Sequence, residues 1–236
     1  MENSIKMKLK EELKKSIGEE DLNLLIEQNA FIAGGALTSI LTNKNINDFD
    51  IYFRTKKECE KTIDYFNHNC KFVCIIATDN AVTFKRSNST VIQLIQAPHL
   101  INECIYDTIS SFDFTINMAA YDLRNDMIIA DNNFYKDNMA RRLVFNEDTN
   151  YPIVSLHRAI KYIYRGYNLS GYEQVKIALA INNLKMTDYT DLKYQLQGID
   201  TSIFKPITDK LMEQPETKYN YEEVKRKLNE NKDELS

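Results

Sequence analysis

The sequence predicts an α+β protein, with a mixed sheet flanked by helices over residues 1–134 and an all-α extension over residues 135–236. Three observations carry this. Apolar runs of strand length, several alternating with polar residues, crowd the first part of the chain. Helical patterns fill the rest. No internal repeat or low-complexity linker interrupts either part. Strands first and helices last is the order of an α+β head with a helical appendage, and 236 residues suffice for both.

The elements follow in order. Residues 5–28 carry Ile5, Leu9, Leu13, Leu22, Leu24 and Leu25 among Lys and Glu, and Gly18 divides them into two helices. The run AFIAGGALTSILTNKN reads as a short strand, a Gly-Gly turn and a short helix. NDFDIYF, residues 47–53, alternates as a strand, and the amphipathic helix after it starts at the N-cap Thr55. Three further strands, KFVCIIAT, AVTFKR and TVIQLIQ, are separated by Asp79-Asn80 and by Ser87-Asn88-Ser89. Residues 98–109 read as a helix, and INMAAYDL with DMIIAD reads as a hairpin around Arg124-Asn125-Asp126. From residue 135 onward the pattern is helical, ending in the charged stretch EEVKRKLNENKDELS, a surface helix or tail.

Bulk properties exclude several classes. Hydrophobic residues make up 43% and charged residues 27%, a globular balance. No apolar run approaches a membrane span, and the charged N-terminus lacks the apolar core of a secretory signal, so a cytoplasmic protein with no membrane partner is expected. A net charge of −4 argues against coating nucleic acid by charge alone. Of Cys59, Cys70, Cys74 and Cys104, only Cys70 and Cys74 have zinc-like spacing, and no second pair matches them. Cys74 lies in the apolar run FVCIIA and is expected to be a buried structural thiol.

Two features carry chemistry. Gly34-Gly35, between a strand and a helix, lets backbone N–H groups approach a phosphate without Cβ obstruction, with a hydroxyl from Ser39 or Thr38 nearby. Alone it is an ordinary tight turn. Thirteen positions on, Asp48 and Asp50 sit two apart on a strand, so both carboxylates share one face while Phe49 and Ile51 face the core. Close carboxylates repel unless a cation lies between them, and two-metal phosphoryl transfer needs such a pair. Alone they are two exposed turn acids. Together, in this order, the two features point to a nucleotide-phosphate site.

On these residues the chain resembles the polymerase-β nucleotidyltransferase superfamily: GGAL…NDFDIYF looks like its signature. SFDFTINMAAYD, residues 111–122, resembles the Arg-Asp-Phe-Thr-Ile-Asn-Ala motif of bacterial tRNA CCA-adding enzymes and poly(A) polymerases. LHRAIKYIYRGY, residues 156–167, resembles the helix that opens their neck. The resemblance implies a polymerase-β-like head in which Asp48 and Asp50 hold Mg²⁺ (or Mn²⁺) and Gly34 and Gly35 cradle the triphosphate of an NTP. It implies that Asp113 and Asn117 line the nucleotide site and that the acceptor is an RNA, a tRNA 3′ end above all.

The sequence also departs from that family. Thr38-Ser39 stand where it has Arg-Asp, Phe112 stands where it has arginine, and Gln93 stands where the superfamily often has a third carboxylate. Lys85, Arg86, Arg141 and Arg142 are the candidate replacement cations, and Asp113 is the candidate replacement acid. The neck's Glu-Asp-x-x-Arg template survives only as Glu147-Asp148, with Tyr151 at the arginine position, which suits a head-plus-neck minimal enzyme without strict CCA choice.

Arg158, Lys161 and Arg165 share one helical face, with Arg158 the candidate nucleotide contact and Leu156, Ile160 and Ile163 on the expected packing side. Tyr162, Tyr164 and Tyr167 could stack bases or fill a domain seam, and His157 is expected at the surface. The leading expectation is thus a metal-dependent nucleotidyltransferase. The alternatives are a transferase acting on a protein or small molecule, as in toxin-like branches, and a degraded nucleotide- or RNA-binding regulatory module.

Overall fold

The structure is a computed structural model, and it describes residues 2–196 and 220–230. The chain divides into two compact units, the first ending at Val144 and the second beginning at Phe145.

The first unit opens with α1 (Glu2–Ile17) and α2 (Glu19–Glu27). They part at Gly18, whose φ of 100° is costly for a residue with a side chain. Ile5, Leu9, Leu13 and Ile17 recur every four residues and are all buried. After β1 (Phe31–Ala33), α3 (Gly35–Leu41) and β2 (Asp48–Tyr52) comes α4 (Lys56–His68). Thr55 caps α4 with a reciprocal pair of bonds: Glu58 N–H donates to Thr55 Oγ1 at 3.3 Å and Thr55 N–H to Glu58 Oε2 at 3.0 Å.

The strands β3 (Phe72–Ala77), β4 (Ala81–Arg86), β5 (Val91–Ile95), β6 (Ala119–Asp122) and β7 (Met127–Ala130) complete one sheet. Its order is β3-β4-β5-β2-β1-β6-β7, antiparallel throughout except for the parallel pair β2–β5. One face, with Ile32, Phe49, Ile51, Phe84, Ile92, Leu94 and Tyr121, packs on α1 to α4. The other, with Phe31, Ala33, Tyr52, Ile95 and Ala120, is covered in part by Ile105 and Ile109 of α5 (Ile105–Ser110).

At the end of β1 remote from its glycine turn, Asp122 is 1% exposed and acts as a clasp. It accepts from Arg54 Nη2 at 2.6 Å, from the backbone N–H groups of Arg124 and Asn125, and from Asn125 Nδ2. α6 (Phe134–Met139) belongs to this unit, so the division falls beyond residue 134. Asp137 takes Arg142 Nε and Nη2 and the Thr115 hydroxyl, and Asn138 Nδ2 donates to the Ile116 carbonyl at 3.0 Å.

The expected order of elements is present, with local differences. Residues 98–109 form a 3₁₀ turn at Pro98–Leu100 and then α5, because the Asn102 amide bonds the His99 carbonyl and the Thr108 hydroxyl and holds a non-helical link. Cys74 is exposed, not buried: β3 is an edge strand, and only Phe72 of it is buried. The buried thiol is Cys59, pushed up to about 12 by burial and then by the neighbouring Glu60.

In the second unit, α7 (Pro152–Tyr164), α8 (Gly171–Asn182), α9 (Tyr189–Leu196) and α10 (Tyr221–Glu230) are helical. Glu173 anchors the unit's start by accepting from Phe145 N–H at 2.8 Å. The packing side of α7 is Val154, Ser155, Ala159 and Tyr162. Leu156, Ile160 and Ile163, expected to pack, are 47%, 49% and 46% exposed, because the buried arc passes through the smaller Ser155 and Ala159. The helical expectation for residues 197–219 and 231–236 lies outside the described residues. No described helix is long and apolar enough to cross a membrane.

The Asp122 clasp yields a stability prediction. Asp122→Ala strips four donors of their acceptor but leaves Arg54 able to rehydrate, so urea unfolding should show a loss of about 2–4 kcal/mol. A loss within about 0.5 kcal/mol, the range of an ordinary surface substitution, would contradict the clasp.

Candidate active site

β2 lies inside the sheet, paired with β1 on one side and β5 on the other. Its burial alternates: Phe49 and Ile51 are fully buried, while Asp48 and Asp50 are part-exposed on the opposite face. Asp50 pairs with Gln93, Gln93 with Thr83, and Thr83 with Ile76, so these four side chains form one row across the sheet on the carboxylate face. Gln93 therefore lies beside Asp50, where the resemblance places a third carboxylate. Asp48 has no hydrogen-bond or ion-pair partner among the described residues.

The Gly-Gly turn lies where β1 ends and α3 begins. Gly34 has φ 76° and ψ −130°, a region open to glycine alone, and its N–H donates to the Ala119 carbonyl at 3.2 Å. A Cβ on Gly35 would meet nothing within 4 Å, so free space lies beside that backbone. Thr38, in the family's arginine position, points inward. Its hydroxyl donates to the Ile116 carbonyl at 2.6 Å and lies 3.4 Å from Asn117 Oδ1, tying α3 to the segment before β6. Ser39 is buried on the same helix, and its hydroxyl has no partner among the described residues.

Asp113 and Asn117 are 3% and 6% exposed, and Asn117 Nδ2 donates to Asp113 Oδ1 at 3.5 Å. Among the described residues no three His, Cys, Asp or Glu side chains are grouped to hold a metal ion, so the structure does not gather Asp113 with Asp48 and Asp50 into such a set. Phe112, the other lost arginine, joins an aromatic row. Phe31 stacks on Tyr52 with centroids 5.5 Å apart, Tyr52 meets Phe112 at 5.8 Å, and the Phe112 ring lies beside Gly34. The sequence gives no signal for this aromatic wall, because its members lie far apart along the chain.

Of the four replacement cations, three are engaged. Arg86 Nη1 donates to the Ile17 carbonyl at 2.9 Å, Arg142 pairs with Asp137, and Arg141 Nη2 reaches the Thr42 carbonyl at 3.4 Å. Lys85 is exposed, has no partner among the described residues, and shares the face of Thr83 on β4. Arg158 is an exposed residue of α7 in the second unit. Tyr162 and Tyr167 are buried edge-to-face at 5.7 Å, which removes them as stacking platforms, whereas Tyr164 is 88% exposed.

The donors that a divalent cation would use here are oxygens. Two same-face carboxylates, Asp48 unpartnered among the described residues, and the adjacent Gln93 amide oxygen are the ligand type that a hard ion such as Mg²⁺ or Mn²⁺ takes.

Comparison with solved structures shows the fold. A CCA-adding enzyme with ATP superposes with a TM-score of 0.53 at 17% identity, over 90% of this chain and 58% of that one. A tRNA nucleotidyltransferase with a primer tRNA and an incoming ATP analogue gives 0.53 at 14% identity, over 87% and 65%. The Thermotoga maritima CCA-adding enzyme with tRNA gives 0.50 at 16% identity, over 95% and 60%. The fold is that of a nucleotidyltransferase head. By sequence the chain belongs to the Gabija anti-defense 2 family, whose model matches residues 4–141. It is 37% identical over 185 residues to Gabija anti-defense 2 of Bacillus phage SPbetaL7, covering 78% of this chain and 45% of that protein. The chain thus spans less than half the length of that relative.

The two glycines should separate by experiment. Gly35→Ala should leave the melting temperature nearly unchanged and weaken ATP binding in calorimetry about tenfold or more, because the new methyl fills the free space. Gly34→Ala should instead destabilise the fold by about 1–3 kcal/mol. Unchanged ATP binding by Gly35→Ala would remove the phosphate role from this turn.

Proposed function

We propose that the chain is a metal-dependent nucleotidyltransferase that moves an NMP from an NTP to a hydroxyl acceptor, and that this transfer is how it acts against Gabija. The observation that carries the reading is the pairing of β2 in mid-sheet, with Asp48 and Asp50 together on the exposed face beside the Gly34-Gly35 turn.

In this reading the backbone of Gly34 and Gly35 and the Ser39 hydroxyl hold the triphosphate. Asp48 and Asp50 would hold Mg²⁺ (or Mn²⁺), which when bound supplies charge neutralisation and Lewis acidity at the phosphate. Asn117, fixed by Asp113 and Thr38, shapes the nucleotide pocket. The acceptor oxygen forms a bond to the α-phosphorus as the bond to the bridging oxygen breaks. Pyrophosphate leaves, and the hydroxyl proton passes to water.

The expectation of a tRNA 3′ end came from the resemblance to CCA-adding enzymes. Membership in an anti-defense family gives it no support. A second reading, a nucleotide-binding module without transfer, is favoured by one observation. Thr38, Phe112 and Gln93 replace two cations and an anion with neutral groups.

Labelled NTPs decide between the readings. Incubation with Mg²⁺ and each α-³²P-labelled NTP should move label into an acceptor pool from cell extract. Asp48→Ala/Asp50→Ala should lower that transfer by about 100-fold or more, since electrostatic stabilisation is the largest catalytic contribution available. ATP binding by calorimetry without transfer from any NTP would establish the binding module.

A further inference from the structure

The fold also holds an unprotected sheet edge. β3 is the outermost strand beside β4, and no strand pairs with its outer side among the described residues. Val73, Ile75 and Ile76 are 67%, 49% and 48% exposed, and Cys74 and Ala77 are exposed with them. Edges are ordinarily guarded by lysine, proline or a covering element. Here Phe72–Ala77 contains no charge and no proline, and its one irregularity is a bulge between Cys74 and Ile76. At the opposite edge, β7 is part-buried over three of its four residues.

This edge is continuous with the candidate active site. Ile76 ends the row that runs through Thr83 and Gln93 to Asp50, and Val73 pairs with Lys85 on the same face. Three strand spacings separate Ile76 from Asp50, about 14 Å. In-line transfer then fixes which side the acceptor uses. With pyrophosphate leaving toward the Gly34-Gly35 turn on the β1 side, the attacking hydroxyl comes from the other side of β2, over β5, β4 and β3. On that side the paired strand residues of the carboxylate face are Val91, Gln93, Thr83, Lys85, Val73 and Ile76, and among these described residues Lys85 is the single cation. An RNA strand repeats a negative charge at every nucleotide and needs cations along its path. An extended polypeptide needs a free edge and apolar contacts for alternate side chains, which β3 supplies.

Resting on the nucleotidyltransferase reading, we propose that the acceptor is a protein: an extended segment adds to the outer edge of β3, four strand spacings or about 19 Å from β2, and the chain continuing from it crosses the carboxylate face to bring a Ser, Thr or Tyr hydroxyl to Asp48 and Asp50. The step forms a phosphodiester between that hydroxyl oxygen and the α-phosphorus of the NTP, and releases pyrophosphate and the hydroxyl proton.

The test gives the full chain [α-³²P]ATP, Mg²⁺ and two acceptor pools from Bacillus cells, nuclease-treated total protein and purified total RNA. Wild type should label a protein band that survives nuclease and is lost on proteolysis. Val73→Lys/Ile76→Lys, which places charge on the edge, should cut that labelling about tenfold or more. ATP affinity by calorimetry and the melting temperature should stay unchanged in this variant, and Val73→Thr/Ile76→Thr should retain most of the labelling. Label in RNA alone would overturn the protein acceptor and leave the transferase reading standing. Protein label indifferent to the lysine variant would overturn docking at β3. A dimer in sedimentation that the lysine variant dissolves would assign the edge to a second copy instead. ATP binding with label in neither pool would end both the proposal and the reading beneath it.

Discussion

β2 has to be greasy on one face and acidic on the other, and the head is arranged around that division. Phe49 and Ile51 have no exposure, and each belongs to the core that α1 to α4 close. Burying two such side chains contributes several kcal/mol. A slip of one residue in register would send those apolar groups to water and the two carboxylates into the core, so the pairing with β1 and β5 is enough to fix which face is acidic. The positions of Asp48 and Asp50 are therefore a consequence of core packing, and their mutual repulsion is a cost that the core sustains and a cation can relieve.

The same economy runs through the turn beside them. Three groups that the resemblance expects to be charged are neutral here, and two of them have taken structural work. Thr38 spends its hydroxyl on the Ile116 carbonyl, and Phe112 extends the stack of Phe31 and Tyr52. The segment holding Asp113 and Asn117 is fastened from both directions, by Thr38 on α3 and by Asp137 and Asn138 on α6. Arg142 is committed to Asp137 and Arg86 to Ile17, so neither is available to the phosphates.

What the sequence made legible follows from what is local. The break at Gly18, the cap at Thr55 and the alternation of β2 depend on residues within a few positions of one another, and all three are found as read. Gln93 was legible because strand alternation and one motif sufficed to place it. The misreadings were matters of tertiary position. FVCIIA has the pattern of a buried strand but lies at the sheet edge, which exposes Cys74. On α7 an apolar stripe and a stripe of small residues lie on neighbouring arcs, and the sequence alone favoured the wrong one. Which arginines are engaged, and the aromatic wall at Gly34, depend on partners tens of residues away that no local pattern encodes.

The neutral groups also bear on what kind of catalyst this would be. Donors aimed at developing phosphate charge contribute about 3–4 kcal/mol each, so a site lacking two of them turns over slowly unless backbone dipoles and a cation supply the difference. Slow turnover is a handicap for an enzyme that must process a large pool of tRNA. It matters little for one that modifies a limited number of target molecules once, where recognising the target is the greater need. The proposed protein acceptor suits the second task, because it would meet an acidic, cation-poor surface beside an uncharged strand edge. That surface gives little purchase to a generic polyanion, and the edge offers backbone pairing to a polypeptide that has the right side chains and a free segment to add.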